Sequence, residues 1–114
     1  MSLKNRKRKA MDKNKRTVDK GLYESLRFKP CICCKVIDGT GAHHVAHRGG
    51  GGHDTLDNMV PVCLEHHTKG KDNFHNRTVG EMAEKFPRFK RWLINNGWEK
   101  HIYKDHWIKN GVRT

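Results

Sequence analysis

Two short motifs that carry metal-binding side chains constrain most strongly what this chain can fold into. Cys31 and Cys34 have C-x2-C spacing in PCICC, and Cys63 and His66 have C-x2-H spacing in VCLEH further along the chain. Only 34% of the residues are hydrophobic and 32% are charged, so the hydrophobic core must be small and is expected to need a cross-link. Two such motifs can supply the four ligands of a tetrahedral structural zinc ion. We therefore predict a structural zinc site at these four residues.

The same cysteines also admit a second interpretation, as small buried apolar residues. A single C-x2-C motif would leave both interpretations open, and the second motif favours metal binding. Disulfides are not expected, because no apolar stretch follows the basic start of the chain as in a signal peptide. Cys33 could compete with Cys34 for the metal, but its spacing from Cys31 fits a zinc site less well. We predict that Cys33 packs in the core.

Length and hydropathy indicate one domain outside the membrane. The chain has 114 residues, and none of its apolar runs approaches the roughly 20 residues of a membrane-spanning helix. We expect a cytoplasmic protein, in the host cell if a phage encodes it, with no membrane partner.

The net charge of +12 is concentrated at the N-terminus. Residues 1–20 contain nine basic residues against two acidic ones, and almost no apolar side chains. Such a segment favours binding to a polyanion, since each phosphate contact releases counterions. A tail that only increases solubility is the alternative interpretation. We predict that residues 1–20 form a flexible or helical DNA-binding extension of a single domain at 21–114. The residues expected to contact nucleic acid here are Lys4, Arg6, Lys7, Arg8 and Lys9.

A strand, loop, strand, helix unit is predicted between residues 41 and 70. The segment GAHHVAHRGGGGH leads through HDTLDN to a second apolar run, MVPV, and LEHHTKGK then suits a short helix that ends near Gly70. Adjacent helical residues point about 100° apart, so His66 can face the cysteines while His67 faces the first strand. Neighbours on a regular strand face opposite ways. His43 and His44 can therefore serve one site only if the strand bends or the substrate lies across its end.

The order PC-x2-C, HHV, glycine-rich loop, DNMVPVC-x2-HH resembles the HNH endonucleases of the ββα-metal class, particularly zinc-stabilised members from phage genomes. The resemblance covers about residues 29–80. It implies an α+β fold with a ββα-metal core, a pair of zinc-binding knuckles and C-terminal helices. It also implies a metal-dependent endonuclease that nicks or cuts DNA with low sequence specificity, leaving 5′-phosphate and 3′-hydroxyl ends.

The resemblance also implies a role for individual residues. His43 and His67 would be ligands of a catalytic divalent ion, which could be Mg²⁺, Mn²⁺, Ni²⁺ or Zn²⁺, and His75 would be a third ligand. His44 would be the general base, and Asn58 would tie the loop to the motif backbone and orient that base. His67 would thus belong both to the catalytic residues and to the metal ligands.

Phosphodiester hydrolysis requires such residues on chemical grounds as well. A cation held by two or three protein ligands keeps positions open for a phosphate oxygen, and histidine accepts a proton at neutral pH. The glycines would let the DNA backbone approach closely. Arg48 could bind the scissile phosphate or be one more basic surface residue. Specificity could come from a partner such as phage packaging or recombination proteins.

A non-catalytic, zinc-stabilised nucleic-acid-binding module is the alternative function. Such a binder needs neither a general base at His44 nor a second metal site. The two functions therefore make different predictions for a His44 variant.

The C-terminal part, residues 79–114, is predicted to be a helical framework. Thr78 and Glu81 form a T-x-x-E capping box, and Asn96-Gly97 would end the helical region. Met82, Phe86, Phe89 and Leu93 form a core stripe that Pro87 interrupts. A final short helix is expected in HIYKDHWIK, with Ile102, Tyr103, Trp107 and Ile108 packing back on the core. The alternative is that these aromatic and basic residues stack on unpaired bases.

Overall fold

Short helices and short antiparallel strands make up this protein, as a computed structural model describes it for residues 17–46, 52–102 and 105–114. The elements are α1 (Lys20–Leu26), β1 (Gly41–His44), β2 (Met59–Val62), a π-helix (Glu65–Lys69), α2 (Val79–Lys85), α3 (Pro87–Asn95), β3 (Glu99–Lys100), β4 (Trp107–Lys109) and β5 (Val112–Arg113). The predicted α+β class is confirmed.

Strands β1 and β2 form an antiparallel hairpin in which His43 pairs with Val60 and His44 with Met59. The prediction of a strand at MVPV is confirmed. The first strand contains the histidine pair as predicted, and it ends at His44, before Val45 and Ala46. Beyond the strand, Val45 N–H donates to the carbonyl of Asn58 at 2.8 Å, and the Val45 side chain is buried in the main core.

The hairpin has a different hydrophobic cluster on each of its two faces. Helix α1 packs on one face, where Leu26 contacts Ala42 and Met59. The other face contributes Val60 to the main core. That core contains Ile32, Val45, Ala46, Val60, Val62, Phe74, Met82, Ala83, Phe89, Leu93, Trp98 and Trp107. Because directly paired strand residues share a face, His43 lies on the side of the main core and His44 on the side of α1.

Helices α2 and α3 follow the predicted pattern. The Thr78 hydroxyl accepts from Glu81 N–H while the Glu81 carboxylate accepts from Thr78 N–H, which is the expected capping box. Pro87 begins α3 rather than kinking one long helix, because its fixed φ and missing N–H suit the first helical position. Met82, Phe89 and Leu93 of the predicted core stripe are fully buried and Phe86 is partly buried.

The prediction of a helical framework through residue 114 is wrong beyond α3. Strands β3, β4 and β5 form an antiparallel sheet in that order, and no final helix occurs within the described part of residues 99–114. Asn110 and Gly111 have φ of 52° and 79°, as a tight hairpin turn between β4 and β5 requires. Trp107 is buried as expected, whereas the Ile102 side chain is exposed. Tyr103 lies outside the described residues.

The start of the described chain is bound to the loop that precedes β2. Thr17 N–H donates to His53 Nδ1 at 2.7 Å, and Asp19 N–H donates to Asp54 Oδ2 at 2.8 Å. Residues 17–20 therefore belong to the folded body, whereas the predicted extension ran from 1 to 20. The predicted DNA contacts Lys4, Arg6, Lys7, Arg8 and Lys9 lie outside the described residues. Among the helices that the structure does describe, none has the length and apolar character needed to cross a membrane.

Candidate active site

The first cysteine motif is held against β2 by backbone hydrogen bonds. Ile32 N–H donates to the Pro61 carbonyl at 2.9 Å, which places the motif beside the end of β2 and hence beside Cys63. The chain reverses within the motif, where Cys31 N–H donates to the Val36 carbonyl at 2.8 Å and Lys35 adopts a φ of 71°. This turn directs the Cys31 and Cys34 thiols toward the second motif.

The four residues predicted to bind zinc converge, with their ligand atoms all within 4.8 Å of one another. Cys34 Sγ lies 3.7 Å from Cys63 Sγ, and His66 Nδ1 lies 3.4 Å from Cys63 Sγ and 3.8 Å from Cys31 Sγ. Zinc bonds of about 2.3 Å to sulfur and about 2.0 Å to nitrogen place tetrahedral ligands roughly 3.5 to 3.8 Å apart. The cluster of Cys31, Cys34, Cys63 and His66 could therefore hold a structural metal such as zinc.

The protonation of the thiols differs within this cluster. A hydrogen bond from the Cys33 thiol lowers the pKa of Cys31 to about 3. Burial raises the pKa of Cys63 to about 12, and the negative charge on Cys31 adds to that effect. The thiolate form is thus favoured at Cys31 and disfavoured at Cys63. The Cys33 thiol, whose pKa is raised by its hydrogen bond to Cys31 and by burial, packs against the main core as predicted.

The π-helix directs two neighbouring histidines to different clusters. The His66 ring packs edge-on against Phe86 and points Nδ1 at the thiols, whereas the His67 ring lies 5.7 Å from that of His43. The predicted short helix ending near Gly70 is confirmed, but its turn is wider than the α-helical one assumed. Gly70 N–H closes the π-turn on the Glu65 carbonyl, and a Cβ at Gly70 would lie only 2.6 Å from that oxygen.

Three histidines from separate parts of the chain form a second cluster. One ligand nitrogen from each of His43, His67 and His75 lies within 4.8 Å of the others. The Nε2 atoms of His67 and His75 are 3.1 Å apart. Two nitrogens bound at about 2.0 to 2.1 Å to one ion lie roughly 2.9 to 3.4 Å apart, so this pair has the separation of two ligands of one metal. His43 is oriented by stacking on Phe74, with ring centres 4.9 Å apart.

Asn73 explains how His75 returns to His67 across Gly70. Its side-chain amide donates to the carbonyls of Thr68 and Gly70 at 3.0 and 2.7 Å. Its side-chain oxygen accepts from the backbone N–H of His75 at 2.9 Å. The Asn73 side chain is buried, so these bonds define a compact loop rather than an extension of the helix. This loop brings His75 back to His67.

His44 lies beside the histidine cluster but makes a different contact. Its Nε2 is 2.7 Å from Asp54 Oδ1, and both side chains are largely buried. His44 also lines a cleft of about 510 Å³ together with His43 and His75. His43 and His44 are the last two residues of β1. Both line this cleft, although they lie on opposite faces of the hairpin.

Basic side chains also line this cleft, namely Arg77 from the loop before α2 and Arg113 from β5. The Arg77 guanidinium is paired with Asp72 at 3.1 Å. Arg113 comes from the sheet that replaced the predicted final helix. These two arginines are basic groups of the cleft wall that sequence reasoning missed.

Asn58 connects the two ends of the glycine loop. Its side-chain oxygen accepts from Ala46 N–H at 2.7 Å, and its amide donates to the carbonyls of Ala46 and His53 at 3.2 and 2.9 Å. The residue is buried, so these backbone groups are shielded from water. A tie across the loop is what the resemblance implied for Asn58. Its contacts reach the backbone near His44 rather than the imidazole itself.

Within the histidine cluster, the electrostatics favour a neutral ring at His67. Burial lowers the pKa of His67, and the neighbouring His75 lowers it further by charge repulsion. A neutral imidazole keeps the lone pair that a metal ligand needs. His67 can thus offer a ligand nitrogen at neutral pH.

The sequence predicted the members of both clusters but not the residues that orient them. Asp54 and Asn73 are buried polar residues that orient His44 and the His75 loop. Both stand in polar loop segments where such residues are ordinary, so no periodic pattern marks them. Arg48 lies outside the described residues.

In comparisons with known proteins, the chain matches no family model, no curated protein and no solved structure.

Proposed function

We propose that this protein is a metal-dependent endonuclease of the HNH type that hydrolyses phosphodiester bonds in DNA. The observation that carries the proposal is the convergence of His43, His67 and His75, with His44 lining the same cleft as two of them. Three imidazoles would supply a divalent ion with one ligand fewer than the four of the cysteine-rich cluster. Such a site leaves positions for a phosphate oxygen and water, which is the arrangement of catalytic rather than structural metal centres.

The residues of the histidine cluster fit a divalent transition metal, since imidazole suits ions such as Zn²⁺ and Ni²⁺ better than Mg²⁺ or Mn²⁺. His43, His67 and His75 would hold the ion. Once bound, a divalent cation supplies Lewis-acid stabilisation of the charge that develops on the phosphate oxygens.

His44 acts as the general base in this proposal. An imidazole whose unperturbed pKa is about 6.5 can take a proton from an attacking water at neutral pH. The largely buried position of His44 at the cleft wall keeps it close to a phosphate lying across the end of β1. Arg113 would attract that phosphate by charge, whereas the charge of Arg77 is offset by Asp72.

The charge of the chain supports a nucleic-acid substrate. The net charge of +12 favours association with a polyanion, and no periodic base-reading element is evident in the sequence. We propose cleavage with low sequence specificity and with 5′-phosphate and 3′-hydroxyl products. The involvement of phage packaging or recombination proteins stays a prediction, as does a cytoplasmic location.

Cleavage of supercoiled plasmid tests the proposal. Zinc-loaded protein is incubated with DNA and Mg²⁺, Mn²⁺, Ni²⁺, added Zn²⁺ or a chelator, and nicked and linear products are separated on gels. We expect activity with at least one ion, and a loss of about 100-fold or more in His44→Ala, because a general base contributes roughly that much.

His101→Ala is the matched control, because His101 lies outside the cleft lining and both metal clusters. It should cleave like the wild type. Equal cleavage by His44→Ala would refute the base assignment. DNA binding without cleavage under every ion would instead support the non-catalytic binding module.

A further inference from the structure

We propose that Asp54 is a positioning residue that holds His44 in a single neutral tautomer, with the proton on Nε2 and the lone pair on Nδ1. Its use in catalysis rests on the proposed nuclease function, whereas the pairing itself can be tested without any activity.

The contact between the two side chains determines which nitrogen carries the proton. His44 Nε2 lies 2.7 Å from Asp54 Oδ1, and the Asp54 side chain is only 7% exposed. An ionised carboxylate can only accept hydrogen bonds, so the imidazole must donate from Nε2. In the neutral ring the other nitrogen, Nδ1, is then the acceptor. Nδ1 is therefore the atom that would take a proton from water.

The orientation of the carboxylate is set by backbone groups. Asp54 Oδ2 accepts from Asp19 N–H at 2.8 Å, and Asp54 N–H donates to the Thr17 carbonyl at 2.9 Å. Asp19 is the N-cap residue of α1, where its own side chain accepts from Leu22 N–H. Asp54 thus lies between the start of α1 and the end of β1. Turning the carboxylate away from His44 would also break its bond to the backbone of α1.

Asp54 could instead serve only to fasten the chain before α1 to the hairpin. Asp54→Ala removes both carboxylate oxygens, so it would abolish the contact with Asp19 and the contact with His44 together. The two roles are separated by Asp54→Asn, which keeps the size of the side chain and one oxygen.

In Asp54→Asn, Asp19 N–H still requires an acceptor, so the amide oxygen is expected to remain at the Oδ2 position. The amide nitrogen then faces His44 Nε2 and can only donate to it. His44 would have to switch to the tautomer with the proton on Nδ1. A fold with the same contacts would therefore present the wrong nitrogen to water, as wrong-tautomer substitutions do in catalytic triads.

Nitrogen-15 NMR of the His44 imidazole reports the tautomer directly. Spectra are recorded on protein with one zinc ion per chain, at a pH well above the ordinary histidine value of about 6.5. We expect Nε2–H in the wild type and Nδ1–H in Asp54→Asn. Asp57→Asn is the matched control, because Asp57 lies in the same loop but bonds Lys109 and Thr55. It should leave the His44 signals unchanged.

The wild-type spectrum alone tests the assignment if a variant fails to fold. An Nδ1–H tautomer in the wild type, or an unchanged tautomer in folded Asp54→Asn, overturns the proposal. Plasmid cleavage provides the second readout: we expect Asp54→Asn to lose about 100-fold or more, and His44→Ala/Asp54→Asn to be no worse than His44→Ala alone.

The two proposals fail in different ways. If the tautomer switches but the wild type cleaves no DNA under any ion, the nuclease function is refuted and the Asp54 pairing stands. If the wild type cleaves DNA and Asp54→Asn cleaves equally well with the wild-type tautomer, the nuclease stands and the role of Asp54 is refuted.

Discussion

The chemical use of each histidine is set by which of its nitrogens faces which neighbour. His66 presents Nδ1 to the thiols, whereas His67 and His75 bring their Nε2 atoms together. His44 uses Nε2 for a carboxylate. One side-chain type thus occupies three environments that differ in charge and in the number of donors and acceptors. Its reactivity at each position follows from these partners more than from the residue type.

At the residue scale, we predict that His67 titrates below the ordinary histidine pKa of about 6.5, because burial and the nearby His75 both disfavour its charged form. Because the pKa of His67 is lower in the folded protein than in the unfolded chain, its contribution to stability is present at pH values above the unfolded-state pKa. This contribution is lost as the pH falls through the folded-state pKa. His75→Ala should raise the His67 pKa part of the way, since burial remains. Proton NMR titration of the His67 ring measures both values.

His101→Ala serves as the comparison for that titration, because His101 is paired with His106 and not with His67. It should leave the His67 pKa unchanged. A His67 pKa at or above the ordinary value would contradict the prediction, as would an unchanged value in His75→Ala.

Site residues were predictable where their spacing is that of metal ligands or where they match a family motif. The cysteine and histidine spacings led to the four-residue cluster, and the resemblance led to His43, His67 and His75, which the structure brings together. Asp54 was not predictable, because a buried aspartate in a polar loop has no distinguishing spacing. Its role depends on the fold, which brings the start of α1 against the loop before β2.

At the scale of elements, each cluster joins pieces of the chain that have little regular structure of their own. The cysteine turn, the end of β2 and the π-helix meet at Cys31, Cys34, Cys63 and His66. The cysteine turn is connected to β2 by the hydrogen bond from Ile32 N–H to the Pro61 carbonyl. A metal ion here would therefore contribute directly to folding, because unfolded chains rarely contain a preformed site.

We predict that Cys34→Ser releases the metal and lowers the free energy of unfolding by more than about 3 kcal/mol, as loss of a structural ion does. Zinc affinity should also fall as the pH falls, because the raised pKa of Cys63 means that zinc must displace its proton. Zinc content by atomic spectroscopy and chemical denaturation provide the measurements.

Cys33→Ser is the matched control from the same turn. Cys33 lies outside the four-ligand set, so its variant should retain one zinc per chain and lose only about 1 kcal/mol from altered packing. Full zinc retention and stability in Cys34→Ser would show that Cys34 is not a ligand.

Elements with local signals were predictable, and those that depend on distant contacts were not. The capping box before α2 and the MVPV strand both appear as expected. The C-terminal sheet was mistaken for a helix, although Asn110-Gly111 is a strong hairpin signal. The bend after His44 could not be predicted, because it depends on the buried Asn58 side chain and its partner Ala46.

For the whole molecule, the positive charge is concentrated in the first part of the sequence. Residues 1–16 carry eight basic residues and one acidic residue, more than half of the net charge of +12. Residues 17–20 are bound to the domain and contribute no net charge. A deletion that tests the basic segment should therefore stop at residue 16, because a longer one would remove Thr17 and Asp19 from the fold.

We predict that deleting residues 2–16 weakens DNA binding and makes it less dependent on salt, without changing the melting temperature. Each lost phosphate contact lowers the slope of log K against log salt by about 0.9 on duplex DNA. Fluorescence anisotropy at several salt concentrations measures the slope. A full-length control with glutamine at the basic positions of this segment separates charge from length. An unchanged slope in both variants would mean that the segment touches no phosphates.

His66 and His67 are neighbours, yet each belongs to a different cluster. Insertion or removal of a single residue between Cys63 and Gly70 would rotate one ring out of its cluster or exchange the two. Related chains should therefore vary in length within the run of glycines but keep this interval constant. A constant length between Cys63 and Gly70 would identify the two clusters even in chains whose other residues have diverged.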